Sequence, residues 1–133
     1  MDTVTCISAA HESLTNARRY LETGEAINWV SNKIISAIHW AMEGWLIDHG
    51  HPVSHGRGWL DTHQAFQEHA PAELSDSLLK LYAQAAHLEF ALMGDSDTSP
   101  SVSIEEWKIK VHECLENTEA VIHSLLADVE PKR

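Results

Sequence analysis

The residues best suited to chemistry lie between 46 and 63, LIDHGHPVSHGRGWLDTH. His49, His51 and His55 follow one another as His-x-His-x3-His in a stretch that also holds Gly50 and Gly56. Imidazole nitrogens in a pliant loop are good donors for zinc and its neighbours, so this triplet is a metal-ligand alternative. Its spacing does not match two histidines one helical turn apart around a glutamate, and the chain has no Glu-x-x-His of the di-iron kind. The plainer reading is a polar connector between helices, with His49 well placed at the negative end of the preceding helix. No metal or other cofactor is therefore expected. Six residues separate Arg57 from His63, a cation and a proton-transfer group of the sort that cleaves phosphodiesters without metal. With ten histidines in the chain such a pair arises easily by chance, and His63 beside Phe66 also reads as a packing residue.

Two further sets of polar residues stand out. Arg18 and His11 fall within the apolar stripe of the first helical segment, and Glu43 lies at the margin of the second. A buried Arg18 needs a carboxylate, and Glu43 is the expected one. Together they could frame a small anionic pocket, with His55 and His87 as further ligand-binding candidates. Finally, His112, Glu116, Glu119 and His123 share one helical stripe, where such pairs ordinarily add a few tenths of a kcal/mol to helix stability. The chain has neither a glycine-rich phosphate loop nor a nucleophile elbow.

Helices must position all of these, because apolar residues recur at helical spacing and period-two alternation is absent. Segments at about 3–23, 26–48, 57–69 and 72–93 are closed by Gly24, Gly50, Pro71 and Gly94. A fifth opens with SIEE, where Ser103 and Glu106 suit a capping box, and runs to about 128. GDSDTSPSV is the one clear linker and is too short to separate domains. Short connections between long amphipathic helices give an all-α, up-down antiparallel bundle of five helices in a single domain, 1–133.

Two helices carry a second apolar stripe. On the second it holds Trp29, Trp40 and Ile47, with Gly44 beside Trp40; on the fourth it holds Leu79, Ala83, Ala86, Phe90 and Met93. A helix apolar on both sides is central in its bundle or buried against another chain. Trp29, Trp40, Gly44, Ile47, Leu79, Phe90 and Met93 are accordingly the expected interface of a homodimer.

The order of these elements resembles the HEPN domain family over residues 5–126. The carrying segments are AINWVSNKIISAIHWAMEGWLIDHGHPVSHGRGWLDTHQAF, then ELSDSLLKLYAQAAHLEFALMG and a closing amphipathic helix. Ala37, Ala41, Glu43, Leu46, Gly50, His55 and Phe66 stand where the family has its alanines, glutamate, leucine, glycine, histidine and phenylalanine. The resemblance implies a helical bundle and, for catalytic members, metal-independent ribonuclease activity from an arginine followed four to six residues later by a histidine. This chain departs from that pattern. It has no arginine between Arg57 and Arg133, Gln84 or Ala85 occupies the matching position, and His87 is left without its cation. The resemblance therefore implies a degenerate, binding member, with Arg57 and His63 as the ribonuclease alternative.

Charge points the same way. Twenty acidic against nine basic residues give a formal net charge of −11, and no basic run exceeds Arg18-Arg19 or Lys132-Arg133. Proteins that hold phosphate backbones show a basic stripe, so nucleic acid is not an expected partner. No segment approaches the ~20 apolar residues of a membrane span, and the first residues have no leader pattern. Cys6 and Cys114 read as free core thiols, a single bridge being the other possibility. The expectation is a cytoplasmic, acidic, dimeric bundle that binds a protein partner or a small, nucleotide-like ligand as an accessory or antitoxin-like component.

Overall fold

Asp2 begins the first helix: its carboxylate accepts the Thr5 amide at 2.8 Å and satisfies one of the donors a helix start leaves open. A computed structural model describes residues 2–53, 56–93 and 103–129 of the chain. Helix α1, Thr3–Thr23, ends where Gly24 adopts φ 75° and returns its N–H to the Tyr20 carbonyl. The second helix starts later than its sequence pattern suggests. Ala26 sits at φ 51°, a one-turn 3-10 helix spans Ile27–Trp29, and α2 proper is Val30–Asp48. Helix α3, Trp59–His69, likewise starts two residues late, because Gly58 takes φ 66° and breaks the helical path. Helix α4 is Ala72–Met93 and α5 is Ile104–Val129. At the start of α5 the Glu106 amide donates to Ser103 Oγ at 3.1 Å, which is the serine half of the expected capping box.

The described residues form an all-α bundle with no strand. Helix α2 packs on α1, α3, α4 and α5, which explains why its sequence is apolar nearly all round. Val30, Ile34, Ala37, Ile38, Ala41, Met42, Trp45 and Leu46 are all buried. α1 lies along α2, and α4 pairs with α5. Trp107 of α5, only 1% exposed, donates its indole N–H to the Leu88 carbonyl at 2.7 Å and fastens that pair. Phe66 meets Trp45 edge-on at 5.5 Å and holds α3 to α2. Both cysteines are free and buried.

Several residues assigned to a dimer interface have partners within the chain. A side-chain carbon on Gly44 would come within 3.2 Å of Cys6 Cβ, so the close approach that this glycine permits is made by α1 of the same molecule. Trp40 lies edge-on to Trp59 of α3 at 5.1 Å. Ile47 is half-buried, and Leu79 is half-buried and packs on the core. Trp29 and Phe90 remain outward, 51% and 75% exposed. The Met93 side chain lies outside the described residues. Val4, Leu60 and Ile104, each near the start of its helix, are exposed. Among the described residues no helix is long and apolar enough to cross a membrane.

Candidate functional site

Helices α4 and α5 leave a furrow between them. Its deeper end is a hollow of about 240 Å³, lined by Gln84, His87 and Leu88 from α4 and by Lys110, Glu113, Cys114 and Asn117 from α5. A second hollow shares Gln84 and Asn117 with the first and adds Ser77, Lys80, Leu81, Ala120 and Val121. A third continues past Ser77 to Leu74, Glu73 and Ser124. From Leu74 to Leu88 the furrow extends roughly 20 Å at about 1.5 Å per residue. Two of the chain's five lysines, Lys80 and Lys110, line it, although the chain as a whole is strongly acidic. The deeper hollow is a little smaller than the ~300–1,000 Å³ of a typical ligand pocket, so it suits a small ligand held partly at the surface. Amides from Gln84 and Asn117 can donate to and accept from a planar ring edge, and Lys110 can meet an anion. Cys114 closes the floor as a buried group: its thiol points to the Leu81 carbonyl at 3.9 Å, and burial pushes its pKa up, away from the thiolate.

Of the sequence-derived ligand candidates among the described residues, His87 alone lines this furrow, where it is exposed. Arg18 does not reach Glu43. Its carboxylate is Glu119 of α5, which accepts from Nη2 and, at 3.3 Å, from Nε. That hydrogen bond raises the Arg18 pKa further. Glu43 is buried on α2 close to Cys6, where its charge adds to burial in pushing that thiol up to about 11. Because α1 and α2 run side by side with Cys6 at Gly44, residue 18 lies at the other end of the pair. The ladder on α5 also divides: His112 pairs with Glu116 at 3.0 Å, Glu119 turns to Arg18, and His123 meets the His11 ring at 5.7 Å.

The two loop histidines that are described, His49 and His51, turn to different partners. His49 Nδ1 lies 2.8 Å from the Trp45 carbonyl, and its ring stacks on Trp45 at 3.8 Å, as suits an imidazole at the negative end of α2. His51 instead stacks face to face on His69 at 3.8 Å. His55 lies outside the described residues, and among those described no three His, Cys, Asp or Glu side chains gather as a metal-ligand set.

Arg57 and His63 likewise engage different partners. Arg57 is exposed, with Nε donating to Asp61 at 2.7 Å and Nη2 to Gln64 at 2.5 Å. His63 turns inward to a group that the sequence pattern did not reveal. The rings of His39 and His63 are 4.8 Å apart, Tyr82 of α4 lies against both, and Trp59 stacks on His39 at 4.6 Å and 18°. His39 is 6% exposed, and the Nε2 atoms of both histidines are buried without a hydrogen-bond partner. Stacking on an indole favours an imidazolium by about 0.5–2 kcal/mol, but burial outweighs it. Burial, then the neighbouring His63, lowers the His39 pKa from 6.5 to about 4, and burial also lowers that of His63. Both are therefore neutral at pH 7. The available signal was a lone histidine between Ile38 and Trp40 in the most apolar helix of the chain.

Comparison of the chain with family models, with curated proteins and with solved structures finds no match in any of the three.

Proposed function

We propose that this chain is a non-catalytic, HEPN-like binding module that takes a small anionic, nucleotide-like ligand in the α4–α5 furrow. The observation that carries this reading is the collection of Lys80 and Lys110, with the Gln84 and Asn117 amides and His87, in one furrow whose two carboxylates are Glu73 and Glu113. Among the described residues no arginine lines the deeper hollow, and the one arginine–histidine pair of suitable spacing, Arg57 and His63, engages two separate sets of partners. Ligand capture without phosphodiester cleavage is the chemistry that these groups supply. In a cytoplasmic setting such a module would act as an accessory or antitoxin-like component.

Thermal-shift measurements with a panel of mononucleotides and dinucleotides test this. A ligand present at a hundred times its Kd adds about 2.7 kcal/mol to stability. The expected result is a raised Tm with at least one nucleotide, lost in Lys110→Glu and in Asn117→Ala. No shift at millimolar concentration, or turnover of labelled RNA that both Arg57→Ala and His63→Ala abolish, would overturn the reading.

A second reading rests on the length of the furrow and on exposed Phe90 near its deeper end: a protein partner, or a second copy of the chain, covers this face. Light scattering distinguishes it. A dimer that Phe90→Glu splits without loss of helicity favours association, and a monomeric mass at micromolar concentration excludes the homodimer.

A further inference from the structure

The contacts of α3 single out one device that ligand binding in the furrow does not use. This helix has eleven residues, below the length at which an isolated helix is stable in water, so packing must hold it in place. It begins at Gly58 with no side-chain cap, and Pro71 lies just beyond its end. Its buried anchors are Phe66 and Thr62, helped by half-buried Trp59 and His63. Trp59 and His63 both rest on His39 of α2. Each histidine of this contact leaves a buried Nε2 without a partner, and such groups are uncommon in folded proteins.

We propose that α3 is an acid-released clamp: protonation of the His39–His63 pair detaches α3 from α2 and α4 while the other four helices stay packed. A first proton would place an imidazolium among Trp59, Tyr82 and the second imidazole, in a buried setting that solvates a charge poorly. A second would set two like charges against each other at ring contact. From α2 the titratable groups on this side are His39 and, one turn on, Glu43, which is buried near Cys6. From α3 they are His63 and Asp61, the latter bonded to Arg57; from α4 it is Tyr82. Among the described residues, the only charge acting appreciably on His39 is that of His63, and no carboxylate field offsets burial at either ring. Freed, α3 hands both imidazoles to water and uncovers Trp45 and Tyr82 on the surfaces it leaves.

Hydrogen exchange on the full chain, corrected for the intrinsic rate at each pH, reads the opening directly. With a closed-state pKa of about 4 for His39 and its ordinary 6.5 when released, opening of α3 should rise about thirtyfold between pH 7.5 and pH 5. Amides of residues 59–69 should respond and exchange well ahead of those of α1, α2 and α5, whose slower exchange follows only global unfolding. In His39→Phe and in His63→Phe, tested singly, the pH-dependent part should shrink. Because either variant could repack, the ring-proton titrations of His39 and His63 in the unaltered protein provide a second measure: their midpoint should coincide with the α3 exchange midpoint. Exchange at 59–69 that does not rise with acid, a rise that persists in both variants, ring titrations unlinked to exchange, or exchange of α3 at the same rate as the other helices at every pH would each overturn the proposal.

Discussion

Replacing Trp107 tests the core at the point where α4 is fastened to α5. The indole is 1% exposed, and its N–H reaches the Leu88 carbonyl at 2.7 Å. Trp107→Ala empties a large buried site, for which losses of about 3–5 kcal/mol are usual. Trp107→Phe keeps most of the apolar contact but removes the hydrogen bond, worth about 1 kcal/mol, and leaves part of the volume unfilled, for a loss of about 2 kcal/mol. A domain's whole stability is about 5–15 kcal/mol, so the alanine variant should be near the edge of folding. In urea, with a slope of about 2 kcal/mol per M, the midpoints should fall by about 1 M for phenylalanine and about 2 M for alanine. Trp29→Ala is the internal control: half-exposed, with no ring contact among those described, it should move the midpoint by less than about 0.3 M. Far-UV circular dichroism follows the transition. Equal shifts for Trp29→Ala and Trp107→Ala, or a phenylalanine variant as stable as the parent, would refute the placement of this side chain.

Three other measurements probe separate features. Global stability should fall on acidification: His39 has its folded pKa depressed to about 4 from 6.5, so its contribution is complete above pH 6.5 and is lost as the pH drops towards 4. The slope is about 1.4 kcal/mol per pH unit and the total about 3 kcal/mol, and His39→Phe should flatten the Tm–pH curve across that window. Cys6, pushed up to about 11 by burial and by Glu43, should hold about a hundredfold less thiolate at pH 8 than an ordinary thiol, so a thiol reagent should count two reactive groups only after unfolding. Ala26→Gly should raise Tm by a few degrees, since alanine at φ 51° carries about 1 kcal/mol of backbone strain that glycine relieves; an unchanged or lower Tm would count against that backbone conformation.

The helices were legible because their apolar periodicity is long and their ends carry chemical signals: Gly24, Pro71 and Ser103 each do what their residue types suggest. The late starts of α2 and α3 were not, because Ala26 and Gly58 break the pattern through backbone angles that periodicity does not encode. Pairing across helices was harder still. Arg18 was matched with Glu43 by charge alone, but its partner Glu119 is 101 residues away, a choice that depends on which helix packs beside α1. Gly44 was assigned to an interface with a second chain, whereas its close neighbour is Cys6 of α1, since a glycine's sequence position does not say which element comes near it. Of the candidate site only His87 was foreseen. Lys110 and Asn117 are ordinary surface residues on α5 until α4 is laid against them, and His39 was hidden in an apolar run.

The contact of Arg18 with Glu119, and of His11 with His123 farther along, has a kinetic meaning. Helical hairpins such as α1–α2 and α4–α5 assemble from neighbours in the chain, and contacts of that kind form quickly. Joining α1 to α5 instead requires a loop of about a hundred residues to close, an entropic penalty met only after both hairpins exist. This seam is therefore formed late and lies on the native side of the folding barrier. Weakening it should leave the folding rate almost unchanged and speed unfolding, which makes the α1–α5 seam the natural place to lengthen the lifetime of the native state.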